Sequence, residues 1–186
     1  MKWNRMNVKK YINDILLKNG IIIDPFNQKS FKGSIWVKNG RIAGVGDFEM
    51  PKSDDVYVID CTNKIITHGF CDLHAHFREP GEDDKEDLKS GSRSALAGGF
   101  TRVCVMPNTK PPIDSPELVN FITQTAKQSP IYIHPIGAVT KNQEGKILTE
   151  MSLMYKEGAV AFSDDGLPIQ NGLVMRKALE YSKMLN

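Results

Sequence analysis

Two histidines and an arginine stand at alternate positions in the segment CDLHAHFREPG, residues 71–81. Side chains of an extended strand alternate between its two faces, so His74, His76 and Arg78 are predicted to share one face, with Asp72 beside them. Two imidazoles at this spacing can bind one divalent metal ion, and zinc readily accepts neutral imidazole nitrogen. The segment therefore predicts half of a metal site, against the alternative of ordinary histidines hydrogen-bonded in a core.

Arg78 is the unusual member of this group, because a cation beside a metal dication is unfavourable unless an anion accompanies them. Its planar guanidinium matches a carboxylate, so one interpretation is that Arg78 binds the carboxylate of a substrate near the metal. The other interpretation is a salt bridge to the acidic run that follows, and the sequence leaves both open. That acidic run consists of Glu79, Glu82, Asp83 and Asp84.

Two further segments carry polar side chains where a strand is predicted to end. Asn108 lies in VMPNTKPPIDS, and its amide can orient a substrate or cap a loop turn. Asp164 and Asp165 lie in AFSDDGLP, where one carboxylate can face a metal while the other holds backbone groups. Such a carboxylate can bridge two metal ions, although an Asp-Asp-Gly turn is the simpler interpretation. His134, inside a predicted strand, is expected to be a core or supporting histidine.

The elements that must position these residues alternate between strands and helices from residue 65 onward. Such alternation predicts parallel strands with helices outside them. The predicted strands are IITHGFCDLHAHF, TRVCVMP, IYIHPIGAV and AVAFSDD, and the predicted helices lie near 85–97, 115–128, from 149 and 172–185. A complete eight-fold barrel needs roughly 250 residues, so about 120 residues supply four βα units. Active sites of such barrels lie at the C-terminal ends of the strands, where the polar residues above are predicted to meet.

The first part of the chain has a different pattern. Residues 1–64 are predicted to form part of a small β-sandwich, and residues 65–186 the first half of the barrel. Asn19-Gly20 and Asn39-Gly40 each separate two apolar runs, and this dipeptide favours a tight hairpin turn. A further strand, VYVIDC, is predicted at residues 56–61. The fold class is therefore α/β, with about four βα units preceded by small antiparallel β structure.

The composition excludes several classes of protein. Lys and Arg total 24 against 22 Asp and Glu, a net charge of +2 that is unlike the basic surface of a nucleic-acid-binding protein. No stretch of about 18 apolar residues occurs, so no membrane association is expected, and the N-terminus shows no signal-peptide pattern. The three cysteines form no CxxC pair, which favours a reducing compartment. We therefore expect a cytoplasmic protein that acts on a small molecule.

Three segments together resemble the dihydroorotases of the long bacterial type, within the amidohydrolase superfamily. These segments are GFCDLHAHFREPG, SGSRSALAGGFTRVCVMPNTKPPID and GAVAFSDDG. H-x-H-x-R-E-P-G followed by M-P-N-T is the most specific part of the resemblance. The resemblance implies a composite β domain, a distorted (β/α)8 barrel, and zinc-dependent, reversible hydrolysis of L-dihydroorotate to N-carbamoyl-L-aspartate in de novo pyrimidine biosynthesis.

The resemblance also implies roles for particular residues. His74 and His76 match the ligands of the first zinc ion, and Asp165 matches the carboxylate that two metals share. Arg78 and Asn108 match the residues that hold the substrate carboxylate, with His76 at the edge of that pocket. The implied cofactor is therefore zinc, as one or two ions.

In the resembling family, the general-acid aspartate and two further histidine ligands lie beyond the position of Asn186. The chain is therefore expected to be an N-terminal portion with no catalytic acid and an incomplete second metal site. It is expected to be inactive and poorly folded alone, because its outer strands would be open edges. The expected protein partner is a second copy of the chain or another pyrimidine-pathway enzyme.

Two alternative functions remain open at this point. One is a related cyclic amidase such as an allantoinase or a hydantoinase, although Arg78 favours a substrate that carries a carboxylate. The other is a non-catalytic homologue that acts as a structural partner for another pyrimidine enzyme, although the intact His74, His76 and Asp165 argue against loss of the site.

Overall fold

The computed structural model describes residues 14–49 and 56–185. The chain divides into two compact units, with the division between His68 and Gly69. Within the described residues, no helix is long and apolar enough to cross a membrane. The assignment of residues 1–64 and 65–186 to two domains stays a prediction.

The first unit contains a five-stranded mixed sheet. Its strands are β1 (Asp14–Asp24), β2 (Lys29–Lys38), β3 (Arg41–Gly46), β4 (Val56–Asp60) and β5 (Ile65–Ile66). β2 pairs antiparallel with β1 and with β3, whereas β4 and β5 pair parallel with β1. The expectation of antiparallel structure throughout is therefore wrong, since β4 joins β1 on the side away from β2 and runs in the direction of β1.

The Asn39-Gly40 pair forms the predicted hairpin turn between β2 and β3. Both residues have positive φ angles, 50° and 71°. The flanking residues Lys38 and Arg41 pair directly across the two strands. This geometry is the one that makes Asn-Gly a hairpin signal, because both turn residues must adopt positive φ.

The hairpin predicted at Asn19-Gly20 is wrong, because β1 continues through this pair as one strand of 11 residues. Asn19, with a φ of 64°, lies in an irregularity of the pairing with β2 between Leu17 and Gly20. One extra residue of β1 is accommodated there, as in a β-bulge. A Cβ on Gly20 would lie 2.4 Å from the Cδ1 atom of Ile66, so the glycine permits close packing against β5.

The second unit contains a four-stranded parallel sheet in the order β6–β7–β8–β9. Its strands are β6 (Phe70–Ala75), β7 (Phe100–Val105), β8 (Tyr132–Gly137) and β9 (Ala161–Phe162). A helix follows each strand: α1 (Leu88–Ala97), α2 (Pro116–Ala126), α3 (Met151–Lys156) and α4 (Gly172–Ser182). The predicted pattern of four βα units is therefore confirmed.

The first predicted strand of this unit, IITHGFCDLHAHF, is not a single strand. Ile65–Ile66 is β5 and pairs with β1 in the first sheet, so β6 alone is the first strand of the parallel sheet. The predicted alternation of side chains also stops before Arg78, which has a φ of 62°. The chain turns sharply there, since the Glu79 amide donates to the Phe77 carbonyl oxygen at 2.7 Å.

Helix α1 begins at Leu88, later than the predicted start at residue 85, because Asp87 caps it. The Oδ1 atom of Asp87 accepts a hydrogen bond from the Ser90 amide at 2.6 Å, and the Asp87 amide donates to Ser90 Oγ at 3.3 Å. This reciprocal pair is a capping box, which satisfies amide groups that have no partner inside the helix. The acidic run therefore precedes the helix and lies in the loop after β6.

The core of the second unit lies between the sheet and its helices. On β7, Val103 and Val105 are buried in this core. Cys104 lies between them and belongs to a separate small cluster, as the alternation of a strand requires. Helices therefore cover one face of the strands, while the opposite face is the one that points inward in a barrel. The buried core residues are Phe77, Leu88, Val103, Val105, Ile113, Val119, Ile122, Ile131, Ile133, Met154 and Ala159.

Replacing Ile122, which is 0% exposed, with alanine is expected to lower the free energy of unfolding. The expected loss is about 2–5 kcal/mol, because apolar contacts disappear and a cavity remains. Leu179→Ala is the matched control, since Leu179 is 63% exposed, and it should change this free energy by less than about 0.5 kcal/mol. Urea unfolding followed by circular dichroism measures both, and equal losses would contradict this placement of the core.

Candidate metal centre

His74, His76 and Asp165 come together at the C-terminal end of the parallel sheet. Each offers one ligand atom, and these atoms all lie within 4.8 Å of one another. The His74 Nε2 atom is 3.2 Å from His76 Nε2 and 3.0 Å from Asp165 Oδ1. The three side chains that the sequence singled out as metal ligands are thus brought to one point.

The donor set fits a divalent metal ion. Two imidazole nitrogens and one carboxylate oxygen are ligands that zinc accepts, and a catalytic zinc site commonly has three protein ligands. Asp165 is only 15% exposed, whereas the His74 side chain is 59% exposed, so the group is closed on the carboxylate side and open on the His74 side. The arrangement can hold one metal ion and leave space for a further ligand.

Asn108 connects two members of this group. Its Oδ1 atom lies 2.9 Å from His76 Nδ1, and its Nδ2 atom donates to Asp165 Oδ2 at 2.7 Å. Because an amide oxygen only accepts, His76 Nδ1 carries the proton in this arrangement, and the lone pair of Nε2 is free for a metal. The sequence pointed to Asn108 for substrate binding or loop capping and missed this role of orienting two ligands, which no spacing signal reveals.

Arg78 lies beside Glu82, so the salt-bridge interpretation has a counterpart in the structure. The contact is long, with Arg78 Nη1 at 3.8 Å from Glu82 Oε2. Lys85 and Lys110 hold the other carboxylate oxygen more closely, at 2.7 and 3.0 Å. Glu82 therefore pairs mainly with the two lysines. Binding of a substrate carboxylate by Arg78 stays a prediction.

The loops after β6 and β7 pack directly against each other beside this group. The Lys110 amide donates to the Pro80 carbonyl oxygen at 3.0 Å. Gly81 has a φ of 91°, and a Cβ atom there would lie 1.8 Å from the Lys110 carbonyl oxygen. Glycine is required at this position, because any side chain would collide with backbone that cannot rotate away.

Asp164, the neighbour of Asp165, has a different environment. It is 5% exposed, and its Oδ1 atom accepts hydrogen bonds from the amides of Val139 at 2.8 Å and Thr140 at 3.0 Å. Its Oδ2 atom accepts from the Thr140 hydroxyl at 2.5 Å. The two adjacent carboxylates therefore point to different partners: Asp164 to backbone and the Thr140 hydroxyl after β8, and Asp165 to His74 and Asn108.

His134 lies on β8 and is not part of the metal-binding group. Its Nε2 atom is 3.3 Å from Arg102 Nη1 on β7. Burial and the nearby Arg102 cation lower the pKa of His134, which favours its neutral form. His134 thus lies on a strand as expected, and whether it supports the site stays a prediction.

Replacing Glu82 with glutamine is expected to lower the thermal unfolding midpoint at neutral pH. Hydrogen bonds from Lys85 and Lys110 lower the pKa of Glu82 from 4.5 to about 2. A lowered carboxyl pKa stabilises the fold fully above pH 4.5, and this contribution is lost as the pH falls toward 2. The difference between the variant and the unsubstituted chain should therefore shrink over that range.

Glu144→Gln is the control for this measurement, because Glu144 is 52% exposed and pairs with Lys146. Exposed ion pairs of this kind contribute little to the stability of the fold. The control should therefore leave the thermal unfolding midpoint almost unchanged. A pH-independent difference for Glu82→Gln would show that Lys85 and Lys110 do not stabilise the loop through this carboxylate.

The known proteins that this chain resembles in sequence are dihydroorotases. The family described as Dihydro-orotase-like matches residues 63–186. A dihydroorotase from Solibacter usitatus is 43% identical over 171 residues, which cover 91% of this chain and 39% of that protein. A dihydroorotase from Caldicellulosiruptor saccharolyticus is 44% identical over 170 residues, which cover 91% of this chain and 40% of that protein. The chain thus spans about two fifths of the length of these relatives.

Solved structures show the same fold. The L-hydantoinase (dihydropyrimidinase) from Arthrobacter aurescens aligns with a TM-score of 0.74 at 21% identity, over 94% of this chain and 39% of that one. The N-acyl-D-glutamate deacylase from Bordetella bronchiseptica, solved with zinc, aligns with a TM-score of 0.62 at 18% identity, over 92% of this chain and 43% of that one. The predicted fold class, the N-terminal part of a (β/α)8 barrel preceded by a small β segment, is confirmed.

The family match includes β6 and the loops after β6, β7 and β9, and with them His74, His76, Asn108 and Asp165. It also covers most of the chain, including all four βα units. The chain therefore belongs to the dihydroorotase-like family.

Proposed function

We propose that this chain forms part of a zinc-dependent cyclic amidohydrolase of the cytoplasm. Its reaction is the reversible hydrolysis of L-dihydroorotate to N-carbamoyl-L-aspartate, a step of pyrimidine biosynthesis. The observation that carries the proposal is the convergence of His74, His76 and Asp165 within 4.8 Å, in a chain of the dihydroorotase-like family.

The metal ion would be held by His74, His76 and Asp165. When bound, a divalent metal supplies a Lewis acid and lowers the pKa of a water ligand, which suits hydrolysis of an amide. Asn108 supports this by holding His76 in the tautomer that presents Nε2 and by fixing one oxygen of Asp165. Outer partners of this kind orient metal ligands and raise their affinity for the ion.

Arg78 is proposed to bind the carboxylate of the substrate. Its side chain is 32% exposed, and its contact with Glu82 is the longest of the three that this carboxylate makes with cations. The guanidinium can therefore turn to a new carboxylate while the two lysines keep Glu82 neutralised. A planar pair of N–H donors also matches a carboxylate in two parallel hydrogen bonds. Asn108, in the neighbouring loop, is proposed to contribute to the same pocket.

His74→Ala and His76→Ala are each expected to weaken Zn²⁺ binding by more than roughly 100-fold. Loss of a residue that merely orients a ligand costs about 10- to 100-fold, and loss of the ligand itself should cost more. Isothermal titration calorimetry with Zn²⁺ measures the change. His134→Ala is the matched control, because His134 contacts Arg102 and not the metal-binding group.

Failure of the unsubstituted chain to bind Zn²⁺ would contradict the proposed centre. That result would favour the alternative of a non-catalytic structural partner. Equal binding by the His134 control and the His74 variant would also contradict the ligand assignment.

Arg78→Gln is expected to weaken binding of L-dihydroorotate by about 10- to 150-fold, since hydrogen bonds to charged groups contribute about 1.5–3 kcal/mol. Dihydrouracil is the matched control ligand, because it has the same ring without the carboxylate. Its affinity should be low and equal for the variant and the unsubstituted chain. Calorimetry with the metal-loaded protein measures both affinities.

Turnover assays with L-dihydroorotate, allantoin and 5-substituted hydantoins, carried out on the enzyme of which this chain forms a part, separate the proposed activity from that of related cyclic amidases. Preference for a hydantoin, together with an unchanged Arg78→Gln variant, would replace the proposal with a hydantoinase activity.

A further inference from the structure

We propose that Asp164 is a positioning residue, whose buried carboxylate holds Asp165 in the metal centre through Thr140. The inference rests on the proposed function, because it concerns the support of one proposed metal ligand.

The strand that leads to Asp165 is very short. β9 contains only Ala161–Phe162, and the next link to β8 is the hydrogen bond from the Ser163 amide to the Gly137 carbonyl oxygen, at 2.9 Å. Asp165 lies beyond this bond and has a φ of 52°. Few residues other than glycine adopt such a conformation, and aspartate is among those that adopt it more often, so the backbone preference of Asp165 does not by itself fix its position. The pairing of β9 with β8 alone therefore does not explain the position of Asp165.

The side chain of Asp164 supplies the missing attachment. Both of its oxygens are occupied, by the Val139 and Thr140 amides and by the Thr140 hydroxyl. Asp164 is 5% exposed and Thr140 is 0% exposed, so water hardly competes for these groups. Hydrogen bonds to a charged acceptor are shorter and stronger than neutral ones, and burial strengthens them further.

The Thr140 hydroxyl is itself held in one orientation. It accepts a hydrogen bond from the Gly145 amide at 2.9 Å, so its own proton is directed to Asp164. The Asp164 carboxylate is thus attached directly to the amides of Val139 and Thr140. Through the Thr140 hydroxyl it is also linked to the Gly145 amide. Because consecutive Cα atoms are about 3.8 Å apart, any shift of Asp164 moves Asp165 with it.

The Asp165 amide donates to Ser163 Oγ at 3.0 Å, a contact within the same short segment, and the side chain of Asp165 contacts side chains of the centre itself. These are His74 at 3.0 Å and Asn108 at 2.7 Å. Both partners have rotatable bonds of their own, so they cannot fix the backbone of Asp165. The link from Asp164 to Thr140 is what ties the proposed ligand to the end of β8.

Thr140→Val tests this link, because valine has nearly the shape of threonine but no hydroxyl. We expect the variant to bind Co²⁺ about 10- to 100-fold more weakly, the range seen when a ligand-orienting partner is lost. The absorption bands of bound Co²⁺ should also shift, since they report the ligand geometry. Thr140→Ser keeps the hydroxyl and should retain the affinity and the spectrum of the unsubstituted chain.

Thr149→Val is the matched control for loss of stability. Thr149 is 2% exposed, and its hydroxyl donates to the Ala138 carbonyl oxygen at 2.8 Å without touching Asp164. Both valine variants should lower the thermal midpoint, but Thr149→Val should leave Co²⁺ affinity and spectrum unchanged. If Thr140→Val does not fold, Asp164→Asn takes its place in the same comparison, since asparagine keeps the size of the side chain and one acceptor oxygen.

The outcomes separate the inference from the function on which it rests. Co²⁺ binding that is equal in the unsubstituted chain and in Thr140→Val, or that falls equally in both valine variants, overturns the positioning role and leaves the metal centre in place. An unsubstituted chain that binds no Co²⁺ overturns the proposed metal centre itself. Co²⁺ binding that is weaker in Thr140→Val but unchanged in Thr149→Val and in Thr140→Ser supports the positioning role of Asp164.

Discussion

The parallel pairing of β6, β7, β8 and β9 is the constraint on which the rest of the second unit depends. Parallel strands bring their C-terminal ends to one edge of a sheet, whatever the distance between them along the chain. His74 lies near the end of β6, and Asn108 and Asp165 follow β7 and β9, yet the three lie within hydrogen-bonding distance of one another or of a common neighbour. The helices that cover the other face provide the buried core that keeps this edge in register.

At this edge the loops, and not the strands, do the final positioning. His76 and Arg78 lie after the end of β6, and Asp165 lies after the end of β9. Each loop is held by polar contacts between loops: Glu82 with Lys110, and Asp164 with Thr140. A candidate site assembled in this way gains its rigidity from charge-assisted hydrogen bonds rather than from the sheet ladder.

The sequence predicts the parts of this arrangement that depend on periodicity and on residue chemistry. The alternation of strands and helices predicts the four βα units, and the H-x-H spacing predicts that His74 and His76 converge. The Asn-Gly dipeptides predict hairpin turns less reliably. Asn39-Gly40 forms a hairpin turn, but Asn19-Gly20 lies in a bulge, because β4 and β5 extend the sheet on the far side of β1 and keep that strand continuous. The bridging role of Asn108 and the contacts of Asp164 depend on loop backbone conformations, which carry no periodic signal.

The close approach of Gly81 to the carbonyl oxygen of Lys110 has a consequence for how these two loops can change in evolution. On the Lys110 side the contact involves the backbone carbonyl group and Cβ, which every residue except glycine carries, so most substitutions at position 110 leave it intact, whereas position 81 tolerates nothing larger than glycine. An insertion in either loop would separate the two backbones and displace both loops together. Changes of length after β6 and after β7 are therefore expected to occur jointly, while the side chains on their outer surfaces can vary independently.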